Sequence, residues 1–167
     1  LDMCYDYAAL RRVVTPDQLS ALSMWRYAPL LPVSEPAYFP PLHVGWTPLI
    51  EAPRLAESLG LRALWLKDDS RNPTGSLKDR ASAMVVARAQ QLGVKVITAA
   101  STGNAAAALA GLCASVGMKA VIFVPAKAPP AKIAQLLVYG ATVLLVDGTY
   151  DDAYALSLQA SAAYNWY

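Results

Sequence analysis

The residue with the most chemical promise is Lys78, carried in the segment Asn72-Pro73-Thr74-Gly75-Ser76-Leu77-Lys78-Asp79-Arg80. Pro73 and Gly75 enforce a turn, and Ser76 is placed to cap a helix that begins just after it. Lys78 then falls in the first helical turn, where the positive end of the helix dipole disfavours an ammonium and favours the neutral amine. A neutral amine can attack an aldehyde and form an imine. From position alone, a solvated surface lysine is the commoner outcome.

The second chemical segment is Ser101-Thr102-Gly103-Asn104, between an apolar run and an alanine-rich stretch. A loop that leaves the carboxyl end of a parallel strand and opens a helix offers backbone N–H groups to an anion. Gly103 lets the backbone approach closely, Ser101 and Thr102 add hydroxyls, and a carboxylate is the small anion of choice. The plainer alternative is a helix cap by Thr102 or Asn104 with no ligand.

Other chemistries find little footing. His43 is the one histidine, which argues against histidine-dependent triads and histidine-rich metal sites. Neither Gly-x-Gly-x-x-Gly nor Gly-x-x-x-x-Gly-Lys-Ser/Thr occurs, which lowers dinucleotide and nucleoside triphosphate readings. Cys4 has no companion and is not a metal site. Cys113, inside an apolar stretch, reads as core, and the two cysteines do not form a disulfide framework. Asp68, Asp69 and Asp79 read as structural, with Asp79 and Arg80 steadying the helix by local hydrogen bonds.

The elements that must position these segments follow from pattern. Residues 63–67, 95–100, 120–125 and 142–146 read as strands, the last three as near-continuous apolar runs suited to parallel strands buried on both faces. Residues 78–92 place Ala81, Met84, Val85, Ala89 and Leu92 at three- and four-residue steps, a helix closed by Gly93. Helices over 104–116 and 130–139 are closed in the same way by Gly117 and Gly140, and a last helix spans 151–163. This βαβ rhythm predicts an α/β fold, an open parallel sheet with helices on both faces. An irregular N-terminal arm precedes it, with one short helix over 17–24 that Thr15 or Asp17 caps and Pro16 opens.

Composition sets the frame. The 167 residues are 56% apolar and 16% charged, with net charge +2, a core-forming balance with no Lys/Arg run to gather phosphate backbones. Nucleic acid is therefore not expected as a partner, and a small molecule is. The most apolar stretch, 99–118, is mostly alanine and glycine and predicts no membrane span. The absence of a basic-then-apolar leader predicts a reducing cytoplasm. Leu1 and the apolar, uncapped residues 163–167 read as the cut ends of a longer chain.

The two chemical segments in this order resemble the fold-type II pyridoxal-phosphate (PLP) enzymes, and within them the threonine synthase family. There the first motif runs Asn-Pro-Thr-Gly-Ser-Phe-Lys-Asp-Arg, and this chain departs from it only at Leu77. Thr102 and Gly103 before Asn104 also look like threonine synthase, whereas cysteine synthases and serine/threonine dehydratases usually show Thr-Ser-Gly-Asn or Ser-Ala-Gly-Asn. The resemblance extends through Trp25-Arg26-Tyr27, Gly45-Trp46-Thr47-Pro48-Leu49 and Lys67-Asp68-Asp69.

The resemblance implies pyridoxal 5'-phosphate as cofactor, with Lys78 joined to its aldehyde and shuttling protons, and Asn104 touching its phenolic oxygen. It implies that Ser101, Thr102, Gly103 and the amide of Asn104 hold the carboxylate of an amino-acid substrate. The activity implied is a carbon–oxygen lyase converting O-phosphohomoserine and water to threonine and phosphate, with the cofactor as electron sink. It divides the chain into residues 1–62, an arm and the start of the large domain, and residues 63–167, an α/β region truncated before the cofactor-phosphate loop. A serine/threonine dehydratase or β-replacement enzyme keeps the cofactor and changes the substrate. A non-catalytic fragment is the third reading, its exposed domain face tending to pair with another chain, a homodimer included.

Overall fold

The computed structural model describes residues 4–167; Leu1, read as a cut end, lies outside them. The chain opens on α1 (Tyr7–Val13), whose first turn is capped by the Asp6 carboxylate accepting from the Ala9 N–H at 3.0 Å. The helix expected over 17–24 is not formed. Residues Pro16–Gln18 make only a 3-10 turn, and a separate 3-10 stretch occupies Met24–Leu30. Ser23 accepts from the Trp25 N–H and so starts a new turn, while Pro29 inside that stretch lacks the N–H an α-helix would need.

Next come β1 (Leu49–Glu51), α2 (Pro53–Ser58) and β2 (Trp65–Lys67). The strand expected over 63–67 therefore exists in shortened form, but it does not join the parallel sheet. It pairs antiparallel with β1, Ile50 opposite Leu66, as a separate two-stranded ribbon.

The main body is α3 (Lys78–Gln91), β3 (Val96–Ala100), α4 (Asn104–Ser115), β4 (Lys119–Pro125), α5 (Pro130–Val138), β5 (Thr142–Val146) and α6 (Tyr150–Tyr164). Gly93, Gly117 and Gly140 follow α3, α4 and α5 at φ of 69°, 68° and 77°, the left-handed conformation that closes a helix cheaply only with glycine. The strands pair in parallel in the order β3-β4-β5, Val96 opposite Lys119 and Val121 opposite Thr142. Tyr167 runs beside the outer edge of β3, its N–H donating to the Val96 carbonyl and its carbonyl accepting from the Thr98 N–H.

Alternation along β4 divides the core. Ala120, Ile122 and Val124 join one cluster with Ala83 and Val86 of α3, Ala106 and Leu112 of α4, and Leu136 of α5. Val121 and Phe123 face the other way, onto Ala153 and Ala160 of α6. Helices thus cover both faces, as an all-parallel sheet requires. The arm is fastened to the first cluster by Met24, Trp25 and Leu42, and Trp25 stacks on Phe39 with centroids 3.8 Å apart. Among the described residues no helix is long and apolar enough to cross a membrane.

Candidate functional site

The turn before α3 is held by side chains rather than by regular pairing. Asp79 is fully buried. Its carboxylate accepts from the Thr74 N–H at 2.7 Å and from the Thr74 hydroxyl, so the first turn of α3 grips the loop that leads into it. Asn72, also buried, accepts from the Gly45 N–H at 2.9 Å and donates to the Asp69 carbonyl at 3.0 Å. Gly75 sits at φ 83° with its N–H on the Asn72 carbonyl. The Ser76 hydroxyl accepts from the Lys78 N–H at 3.3 Å, close to the capping role expected of it, although Leu77 takes the cap position itself.

Beside this turn lies a polar knot. The Asp69 carboxylate accepts from the Thr47 hydroxyl at 2.7 Å and from the Arg80 guanidinium at 2.5 Å. The Thr47 bond, reinforced by Arg80 and Lys67 and opposed by burial, holds Asp69 below its ordinary carboxylate value. Asp79 and Arg80 therefore do steady the helix, but through partners outside it.

Lys78 is exposed at the head of α3. Ser101, Thr102 and Gly103 are half-buried in the loop between β3 and α4, and Asn104 is the exposed first residue of α4. The cap by Thr102 or Asn104, the plainer alternative in sequence, is not made: α4 begins with Gly103 in the cap position and no side-chain cap. The Ser101 hydroxyl accepts from the Gly103 N–H at 3.2 Å, shaping the loop while the first amides of α4 keep no side-chain acceptor.

Two observations connect the segments. A cavity of about 270 Å³ is lined by Ala81, Ser82 and Val85 of α3, the middle of β3, Ala105 and Leu109 of α4, and Tyr167. Residues 78, 81, 82 and 85 follow three- and four-residue steps, so the cavity lies along the helical face that carries Lys78, one turn further on; Lys78 and Asn104 do not line it. The second connection is Gly111, seven residues and hence two turns beyond Asn104. A Cβ there would come within 2.7 Å of the Thr74 methyl, so a glycine is what lets the lysine-bearing loop rest on α4.

Thr74, Gly111 and Thr47 were not singled out by sequence. For Gly111 there was a signal, since a glycine inside an otherwise alanine-rich helix costs about 1 kcal/mol and calls for a packing reason. The contacts of Thr47 and Thr74 left none. Cys113 is buried on α4, and burial pushes its thiol up to about 12, consistent with a core role. Among the described residues no group of three or more ligating side chains could hold a metal.

Comparison with known proteins bears on the same residues. Residues 41–167 match the family model described as pyridoxal-phosphate dependent enzyme. The threonine synthase of Methanosarcina acetivorans is 42% identical over 158 residues, covering 93% of this chain and 38% of its own length. That of Methanocaldococcus jannaschii is 40% identical over 156 residues, covering 92% and 38%. Among solved structures, holo diaminopropionate ammonia lyase from Escherichia coli superposes with a TM-score of 0.69 at 21% identity, over 91% of this chain and 42% of that one, a likeness of fold. The processed form of threonine deaminase isoform 2 from Solanum lycopersicum gives 0.65 at 27% identity, over 72% and 33%. The chain thus spans about two-fifths of the length of the two threonine synthases.

The residues present fit a PLP group together with an amino-acid substrate on two structural counts. The uncapped start of α4 leaves amides for an anion, and the turn before Lys78 is fixed from both sides by Asp79 and by contact with Gly111.

Proposed function

Because the chain belongs to the pyridoxal-phosphate dependent enzymes, we propose that it forms the lysine-bearing part of a threonine synthase, which converts O-phosphohomoserine and water to threonine and phosphate. The observation that carries this reading is the ordered pair of segments 72–80 and 101–104, within a chain about 40% identical to threonine synthases. Lys78 would attach the cofactor through its amine and carry protons to and from the substrate carbon. The Asn104 side chain would meet the cofactor's phenolic oxygen. Ser101, Thr102, Gly103 and the Asn104 N–H would hold the substrate carboxylate. Support for that role comes from the open amides at the start of α4. PLP, when bound, would supply an electron sink for carbanions that form on the attached substrate. On this reading residues 1–62 belong to the arm and the start of a large domain and 63–167 to the α/β region, the protein works in a reducing cytoplasm, and a homodimer fits the exposed domain face.

The full-length protein reconstituted with PLP is expected to show the visible absorbance of lysine-bound cofactor, and Lys78→Ala to lack it. Indistinguishable spectra would remove Lys78 from its role. A dehydratase or β-replacement enzyme would share that absorbance, so the released product decides between them. Phosphate from O-phosphohomoserine is expected, favoured by the Thr102-Gly103-Asn104 form, and ammonia from threonine without phosphate release would reassign the substrate.

A further inference from the structure

On the arm side of α3 lies a second cavity, about 590 Å³, whose walls include Met24, Arg26, Trp46, Lys67, Arg80 and Met84. Its size falls within the range of small-molecule sites, and its walls combine apolar surface with a few charges, the usual make-up of such sites. All the charges are positive: Arg26, Lys67 and Arg80 line it, and no carboxylate does. Two of the three are engaged elsewhere. Arg80 is paired with Asp69, and the Lys67 ammonium donates to the Thr47 carbonyl.

Arg26 differs. Its guanidinium donates to the Leu19 carbonyl and lies over the rings of Trp46 and Tyr27, 4.3 and 5.7 Å from their centroids. Among the described residues it makes no ion pair, and its Nε is buried without a hydrogen-bond partner. Aromatic faces and one carbonyl orient a guanidinium without neutralising it.

The wall beside Arg26 is also held in an uncommon shape. Trp46 has φ 53°, a left-handed conformation rare for a bulky residue, directly after Gly45 at φ 81°. The turn is pinned by the Gly45 N–H on Asn72 and by the Met24 N–H on the Val44 carbonyl at 2.7 Å. A side chain at Gly45 would come within 2.7 Å of the Arg80 guanidinium and 2.8 Å of the Met24 nitrogen. Such strain persists where the surroundings over-determine it, and it concentrates at ligand sites.

We propose that this cavity binds a small organic anion with an apolar body, its carboxylate or phosphate received by Arg26 and its body lying between Trp46, Met24 and Met84. The site is separate from Lys78, which does not line it, and adjoins the cavity between α3 and α4, since Ala81 lines both. No part of the proposal depends on PLP.

The test is calorimetric titration of the 167-residue chain, free of PLP, with phenylacetate and with phenyl phosphate; benzyl alcohol and inorganic phosphate are the controls. One of the two aromatic anions is expected to bind one-to-one, and which one does so identifies the head group. Arg26→Gln is expected to weaken that binding by about tenfold or more, Arg26→Lys by less. The same titration in a Lys78→Ala background is expected to give unchanged affinity, so this inference and the lysine assignment fail independently. Equal binding of benzyl alcohol, equal binding of inorganic phosphate, no binding by either aromatic anion, or indifference to Arg26→Gln would overturn it. Should Arg26→Gln not fold, as judged by circular dichroism, Trp46→Leu at the exposed wall takes its place, with weakened binding expected and unchanged binding contradictory.

Discussion

At the scale of single residues, the site region depends on charges that are paired across sequence rather than along it. Asp69 joins Thr47, Lys67 and Arg80, and its lowered pKa gives the knot a direction in pH. A carboxyl group whose folded value lies below its unfolded one adds stability that is complete above the unfolded value, near 3.9, and is lost as pH falls through the folded one. Asp69→Asn is therefore expected to cost about 1–3 kcal/mol at pH 7 in urea denaturation. The gap to the parent should narrow below about pH 4. A gap of the same size at pH 3 and pH 7 would show that the charge plays no part. The partners were not legible in sequence: Asp69 reads there only as structural, and it is the fold that brings Thr47 and Arg80 to it.

Among the elements, the helices were the most readable. α3, α4 and α5 carry both an apolar face and a glycine stop, and β4 is an uninterrupted apolar run. The failures share a cause. β1 and β2 are three residues each, too short to show a period, and thirteen residues containing α2 separate them, so Trp65-Leu66-Lys67 looked like one more parallel strand. In the arm, Pro16 suggested a helix start, but the lasting one lies ten residues earlier, where Asp6 supplies a cap and Arg11 and Arg12 meet the last turn. For the site, the segments themselves were legible and their mutual support was not, because Gly111 meets Thr74 only once α4 packs on the loop. Gly111→Ala tests that contact. In an isolated helix this change stabilises by about 1 kcal/mol. Here the crowded methyl is expected to cost about 1–3 kcal/mol, a net loss in thermal denaturation. Adding Thr74→Ser, which removes the methyl and keeps the hydroxyl on Asp79, should recover it. If Gly111→Ala alone stabilises the protein, the contact is not tight.

For the whole molecule, the decisive quantity is how much of a cofactor cleft the chain supplies. It spans about two-fifths of its relatives' length. Every residue of the β1–β2 ribbon is exposed, Trp65 and Leu49 at 52% and 64%, an apolar surface of the kind that marks an interface. Lys78 and the 101–104 loop proposed for the carboxylate are present, while in the resembled family the loop for the cofactor phosphate comes later. Titration of the 167-residue chain with PLP, followed by absorbance, is accordingly expected to show weak binding or none. A tight one-to-one complex would mean that the segments described here suffice.

The parallel order β3-β4-β5 has a consequence for how the molecule comes together in time. Val96 meets Lys119 and Val121 meets Thr142, so no neighbouring pair of strands can zip from a local hairpin. Each ladder closes a loop of about twenty residues, whose entropy is lost before any strand contact repays it. Helices can flicker into place in microseconds while the sheet waits for the crossovers. During that interval the Val- and Ile-rich edges of β4 stand open to other copies, which makes dilute, cool refolding the favourable regime.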